Sequence, residues 1–296
     1  MTLIMSKMDR NYHNILKVNI VSTSIDKVLR FTQFSLSKKH KFYIVTPNPE
    51  QIVLAQKDKD FRKILNSADI AICDAIGTVQ TSKFLGLKKV DNVYAKPILY
   101  LLQGLWVGLS TFFNKKWLES DLKVIKGRKL FMSLIQLANK KNWRVYFVGG
   151  EIAGTTQEAA FKLSSNYKSV KIKYSDGPLL DDNSKPGSLY DKKIENEVIE
   201  DINKFKPHLL FVGFGAPRQE KWVYRWLPKL NIGGAMVVGG TFDYVAGNVK
   251  LPPDWMSEYH LEWLWRLIVQ PRRIMRIVNA SVIFPLLVYK SKIKDS

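Results

Sequence analysis

The chain has 296 residues, and 46 Lys and Arg against 26 Asp and Glu leave a formal net charge of +20. Hydrophobic residues make up 46% and charged ones 24%, which excludes wholesale disorder and supplies the core of one large α/β domain or two small ones. A single cysteine, Cys73, excludes an intramolecular disulfide framework and a cysteine zinc site, and the 4 scattered histidines include no HExxH pair, so no protein metal cage is expected.

The charge calls for an anionic partner: nucleic acid, a nucleoside diphosphate or an anionic membrane surface. Residues 1–10 lack the apolar run of a signal peptide, so the expected location is the cytoplasmic side. Residues 15–50 read as strand, helix, strand, with Val28, Leu29, Phe31 and Phe34 at helical spacing and a short apolar run at 42–45. Thr46-Pro47-Asn48-Pro49-Glu50-Gln51 is a sharp helix start: Asn48 caps, Pro49 takes the first helical position and Gln51 follows three residues after the cap. That helix is expected to run to about residue 66. Ile70-Ala71-Ile72-Cys73 is then a buried strand ending at Asp74.

Three further apolar strands end on glycine: 144–148 on Gly149-Gly150, 209–212 on Gly213-Phe214-Gly215, and 236–238 on Gly239-Gly240. Buried strands alternating with helices predict a mostly parallel, Rossmann-like α/β sheet with helices on both faces. Ligands of such sheets bind outside the carboxyl ends of the strands. Thr46, Asp74, Gly149-Gly150, residues 213–219 and residues 239–243 are therefore expected on one edge.

Two segments exceed a plain doubly wound domain. Residues 97–113 (PILYLLQGLWVGLSTFF) carry no charge between Lys96 and Lys115-Lys116. As a helix they span roughly 25 Å, short of the ~30 Å hydrocarbon core. A re-entrant or interfacial helix is the first reading, ahead of a buried core helix and a true span. At the other end, Trp- and Leu-rich residues 259–270 stop at Pro271, and Arg272, Arg273 and Arg276 precede an apolar run closed by Lys290, Lys292 and Lys294. This suits a helix in an anionic headgroup layer, or a helical layer docked on the domain. The chain is thus divided into an α/β domain over 1–255, with an apolar insertion at about 91–122, and a basic, membrane-associating helical appendage over 256–296.

Asp74, directly after an apolar strand, either takes a proton from an attacking hydroxyl or caps the following turn. Thr46 is either a sugar or phosphate contact or a structural hydroxyl. In Gly213-Phe214-Gly215-Ala216-Pro217-Arg218-Gln219 the glycines allow close backbone approach, and Pro217 opens a helix whose N–H groups favour anions. Arg218 and Gln219 add side-chain donors, but the third glycine of a dinucleotide fingerprint is missing. Together with Gly149, Gly150 and the Gly239-Gly240-Thr241-Phe242-Asp243 turn, these residues form an expected nucleotide site. Arg266, Arg272, Arg273 and Arg276 are placed to clamp a diphosphate, or else form a solvated or lipid-facing stripe. Asp58-Lys59-Asp60 spells DxD but sits on a polar helix face away from any strand end. Cys73 reads as a small buried hydrophobe.

These motifs resemble the WecG/TagA/CpsF family of bacterial glycosyltransferases. The resemblance is carried by Thr46-Pro47-Asn48-Pro49-Glu50, residues 68–77, residues 147–150, LLFVGFGAPRQEKW at 209–222, VVGGTFDYVAG at 237–247 and LEWLWRLIVQPRRIMR at 261–276, and it spans roughly residues 15–289. It implies an inverting transfer that uses neither metal nor cofactor. A sugar of N-acetylmannosamine type would pass from a UDP-sugar to a polyprenyl-diphosphate-linked sugar, in cell-envelope polysaccharide or teichoic-acid-like synthesis at the cytoplasmic face of the membrane. By position, Asp74 matches the family's general base, Thr46 and Gln219 match active-site polar residues, and the C-terminal arginines match a membrane-docking appendage that completes the site. Asn48 is assigned with those arginines to the substrate side. The sequence departs from the family where Cys73-Asp74-Ala75 replaces Pro-Asp-Gly, and an arginine of the family is met only by Lys123 or Arg128, which leaves donor specificity open. The competing readings are a catalytically inactive member acting as a membrane scaffold, a nucleic-acid-binding protein without a recognisable module, and a nucleotide-dependent oxidoreductase. Assembly as a homo-oligomer stays open.

Overall fold

The computed structural model describes residues 11–150, 152–259, 261–271 and 274–294. Arg272 and Arg273, assigned above to the diphosphate clamp, lie outside the described residues. Strands β1 (Asn11–Ile15) and β2 (Val18–Ser22) form a hairpin, followed by β3 (Phe42–Val45), β4 (Ile70–Ala71), β5 (Arg144–Val148), β6 (Lys171–Ser175), β7 (Leu209–Val212) and β8 (Gly234–Val237). The last six form one sheet in the order β4-β3-β8-β7-β5-β6, and all its pairs are parallel. Alternate residues of the inner strands feed two cores. Tyr43, Val45, Tyr146, Val148, Leu210 and Val212 enter one, and Phe42, Ile44, Val145, Phe147, Leu209 and Phe211 enter the other. Burial on both faces is why these strands read as unbroken apolar runs.

The hairpin is an addition to the expected pattern. Its turn residues Leu16 and Lys17 hold φ of 49° and 67° without a glycine or asparagine, so the usual turn signal is missing. A bridge between Val21 and Ile72 joins the hairpin to the β4 edge. The helix expected from residue 49 to 66 is two helices, Pro49–Lys57 and Lys59–Asn66. Asp58 breaks it: its carboxylate accepts from the Phe61 N–H at 2.8 Å and pairs with Lys221 at 2.7 Å. The DxD signature is accounted for by this cap.

The apolar run forms a helix, Lys96–Phe113. Tyr100, Val107, Ser110 and Thr111 pack inward, while Ile98, Leu102, Trp106, Leu109 and Phe113 are exposed, which rules out the buried-core reading. The C-terminal stretch breaks at Pro271 as expected, giving a helix Glu262–Val269 and a continuous helical stretch from 274 to 294. The first has no fully buried residue, whereas the second places Phe284 and Val288 in the main core. There it packs against the Pro49–Lys57, Ile76–Gly86 and Lys96–Phe113 helices.

Candidate active site

Beyond the carboxyl ends of β4, β3 and β8 lies a cavity of about 880 Å³. Thr46 follows β3, Asp74 follows β4, Gly239 and Gly240 follow β8, and Gly215 and Gln219 reach in from the loop and helix after β7. Glu262, Arg266 and Arg276 close it from the C-terminal side, and Tyr100, Gly104 and Leu105 close it from the apolar helix.

Asp74 is one of three acids that line this cavity, with Glu50 and Glu262, and it is the one at a strand end. Its Oδ1 accepts the Gly127 N–H at 2.6 Å. A Cβ on Gly127 would be in van der Waals contact with the Thr46 methyl at 3.4 Å and the Asp74 carboxylate at 3.6 Å, which places Gly127 beside both. Burial pushes the Asp74 carboxyl up to about 6, against the Gly127 hydrogen bond and the charges of Arg266 and Arg128, with Glu262 adding to the rise. A carboxylate that titrates near neutrality, beside positive charge, suits a general base.

The positive charge is held in place by one acid from the C-terminal segment. Glu262 accepts a short hydrogen bond from Lys126, lies 3.7 Å from Arg128 and accepts the Ser257 hydroxyl at 3.0 Å. Burial opposes its ionisation, but Lys126 and Arg128 hold the carboxyl below its ordinary range. Arg266 donates to the Tyr244 hydroxyl at 3.2 Å, and Arg128 lies over the same ring at 5.1 Å from its centroid. Arg276 pairs with Glu50 at 3.5 Å. Two basic side chains flanking Gly127 are thus tied to the C-terminal wall by contacts that also orient Arg266.

Behind Thr46 a buried amide network fixes the loops. Asn48 and Gln51 form the expected capping box, each backbone N–H bonded to the other's side chain at 3.0 Å. Gln51 then donates to Glu220 at 3.0 Å, Gln219 donates to the same oxygen at 2.9 Å, and Gln219 accepts the Gly239 N–H at 3.0 Å. One chain of bonds therefore ties together the loops after β3, β7 and β8. Burial pushes Glu220 up to about 7, against the donations of Gln219 and Gln51.

A family model described as "Glycosyl transferase WecG/TagA/CpsF family" matches residues 13–101 and 107–296. The chain belongs to this glycosyltransferase family. It is 29% identical over 268 residues, 90% of its length and 86% of the relative's, to the N-acetylglucosaminyldiphosphoundecaprenol N-acetyl-beta-D-mannosaminyltransferase of Bacillus subtilis strain 168. Proteins of the same name from Bacillus spizizenii and Staphylococcus aureus strain NCTC 8325 are 29% identical over 80% of the chain and 22% identical over 94%, covering 75% and 92% of the relatives. The family match is interrupted at residues 102–106, inside the apolar helix.

Within this glycosyltransferase the expected site residues separate into two groups. Thr46, Asn48, Asp74, Arg128, Gly215, Gln219, Gly239, Gly240, Arg266 and Arg276 all line the cavity. Lys123 does not: it is exposed, because Ile125 is the residue turned inward there, its N–H bonded to the Cys73 carbonyl at 2.7 Å. Gly149, Gly150, Gly213, Arg218, Phe242 and Asp243 are also outside the lining. A Cβ on Gly149 would come 2.8 Å from the Gly213 carbonyl carbon, and one on Gly213 would come 2.7 Å from the Phe242 ring. These glycines allow strand ends to pack, and Phe242 fills an aromatic core with Phe131 and Phe147. Arg218 turns away to the Leu180 carbonyl at 3.3 Å. Sequence reasoning missed Lys126, Gly127, Tyr244 and Glu262. Only Glu262, the acid in an otherwise basic and aromatic segment, carried a visible signal.

Proposed function

We propose that this glycosyltransferase moves an N-acetylmannosamine-type sugar from a UDP-sugar to the N-acetylglucosamine of a polyprenyl-diphosphate acceptor. The relatives' printed names support the acceptor and the sugar, and the observation that carries the reading is Asp74 on the floor of a cavity rimmed by Arg128, Arg266 and Arg276. Asp74 takes the proton of the acceptor hydroxyl as its oxygen attacks the anomeric carbon. The glycosidic bond forms as the bond to UDP breaks, in a single displacement with inversion. The negative charge that develops on the leaving diphosphate meets Arg128, Arg266 and Lys126, whose positions are set before the reaction begins. Gly215, Gly239 and Gly240, which carry no side chain to block approach, are placed to receive the nucleotide. No divalent metal or cofactor enters the scheme.

A lipid-linked acceptor calls for contact with a membrane. The exposed apolar face of the Lys96–Phe113 helix, flanked by Lys88, Lys89, Lys115 and Lys116, supports a peripheral site at the anionic cytoplasmic surface. The C-terminal stretch from Ile274 to Lys294 is long and apolar enough to cross a bilayer by length and composition alone. Since it buries Phe284 and Val288 against the protein, docking on the surface is the better reading.

The deciding assay offers a panel of UDP-sugars and a lipid-linked N-acetylglucosamine diphosphate in detergent with EDTA. Transfer of one sugar with inverted anomeric configuration is the expected result. Transfer that requires a divalent metal removes the metal-free scheme, and UDP binding without transfer of any sugar overturns the proposed donor and acceptor.

A further inference from the structure

The cavity has an apolar arm that the transfer chemistry does not use. Its lining includes Gly104, Leu105 and Gly108 of the Lys96–Phe113 helix and Ile277, Ala280 and Phe284 of the C-terminal stretch, two elements packed on each other. Gly104 and Gly108 are one helical turn apart, and a Cβ built on Gly108 would meet nothing within 4 Å. The arm borders the exposed face of the helix, where Leu101 and Leu105 are both lining residues and more than half exposed. Arg276, next to Ile277 in the chain, lines the same cavity. The molecule therefore joins a cationic pocket to an apolar slot that opens towards an apolar surface.

We propose that this arm binds the first isoprenoid units of a polyprenyl diphosphate, with its diphosphate beside Arg276, the neighbour of Ile277, and the rest of the chain leaving past Leu101 and Leu105. The inference rests on the proposed acceptor and adds where its lipid lies. A branched, unsaturated hydrocarbon chain attached to a diphosphate matches both chemistries: the guanidinium fork matches phosphate oxygens, and the glycine and apolar residues of the arm match the hydrocarbon. The missing side chains at Gly104 and Gly108 leave the width for it.

Binding of farnesyl diphosphate and of inorganic pyrophosphate to the full chain, followed by calorimetry, tests this without any sugar transfer. Each buried methylene contributes roughly a factor of four in affinity, so farnesyl diphosphate should bind at least about tenfold more tightly than pyrophosphate. Gly108→Leu, which has room for its Cβ, should remove that advantage and leave pyrophosphate affinity unchanged, while Gly108→Ala keeps most of it. Equal affinities in the wild type, or an advantage that survives in Gly108→Leu, overturn the slot. If Gly108→Leu loses both ligands the pocket has collapsed, and Gly104→Leu, whose Cβ meets only Phe84 at 3.8 Å, then decides by the same comparison. A protein that holds farnesyl diphosphate through the arm but transfers no sugar would refute the proposed reaction and leave the slot standing.

Discussion

The two walls of the cavity are built by different means. The strand-end wall is continuous with the sheet: Thr46, Asp74 and Gly239 follow buried strands, and the Asn48–Gln51–Glu220–Gln219 bonds lock their loops together. The C-terminal wall from 262 to 278 has no fully buried residue in its two helices, and polar contacts such as Glu262 with Lys126 and Arg266 with Tyr244 hold it to the domain. Only beyond it do Phe284 and Val288 anchor the chain in the core. The proposed base therefore belongs to the sheet scaffold, as do Lys126 and Arg128, whereas Arg266, which completes the charges proposed for the leaving group, belongs to a docked element. Chemistry that needs both is complete only when that element is in place.

Removing the proposed base tests the first wall most sharply. Asp74→Asn keeps the size of the side chain and abolishes proton acceptance, and should lower kcat by about 10²–10⁴ with UDP affinity near that of the wild type. The same group sets a pH limit. Its carboxyl, raised to about 6, must be ionised to act, so kcat in the wild type should fall as pH drops through that value. An unchanged rate in Asp74→Asn, or a rate that is flat down to pH 5, would take Asp74 out of the mechanism.

The second wall is tested at its clasp. Glu262→Ala leaves Lys126 and Arg128 without their carboxylate and frees the start of the Glu262–Val269 helix. A displacement of about 1 Å in the catalytic arrangement costs on the order of 10²-fold, so kcat/KM should fall by about 10–10² while the thermal midpoint moves little. Protease sensitivity near residue 260 should rise in parallel. Activity close to wild type in Glu262→Ala would show that the C-terminal wall docks without this contact.

The legibility of the two walls in the sequence differs for the same physical reason. Buried parallel strands that end on glycine, and the Asn48-Pro49-x-Gln51 cap, are local patterns, so the sheet, the cavity edge and Asp74 were all readable. Strand-end glycines look alike in sequence and differ in the fold. Gly149 and Gly213 have the sequence pattern of Gly239 and Gly240, yet they face the neighbouring strand ends and the Phe242 ring, and that distinction depends on strand order. Lys126 and Glu262 are 136 residues apart, and no periodicity predicts their pairing. The apolar run at 97–113 was visible as hydrophobic, but which of its residues face water was decided by the C-terminal helix packed against it, through Tyr289 bonded to the Pro97 carbonyl at 2.8 Å.

The smallest expected effect probes what stiffens the first wall. Glu220 is buried and receives two amide donors on one oxygen, so it acts on the site only through Gln219 and Gln51. Glu220→Gln keeps an accepting oxygen and should reduce kcat only a few-fold, while Glu220→Leu, which removes both bonds, should cost more in kcat than in KM. Stability against pH separates this positioning role from simple packing. Burial raises the folded carboxyl to about 7 from an ordinary value near 4.5, so the folded state holds its proton more tightly than the unfolded chain does. Its contribution to stability is therefore fully present below the unfolded value and is lost as pH rises through 7. Wild-type protein should lose more stability between pH 5 and 8 than Glu220→Gln in urea titrations, because the amide has nothing to ionise. Parallel curves for the two proteins would mean that Glu220 ionises at its ordinary value in the folded protein, and burial would then not hold its proton.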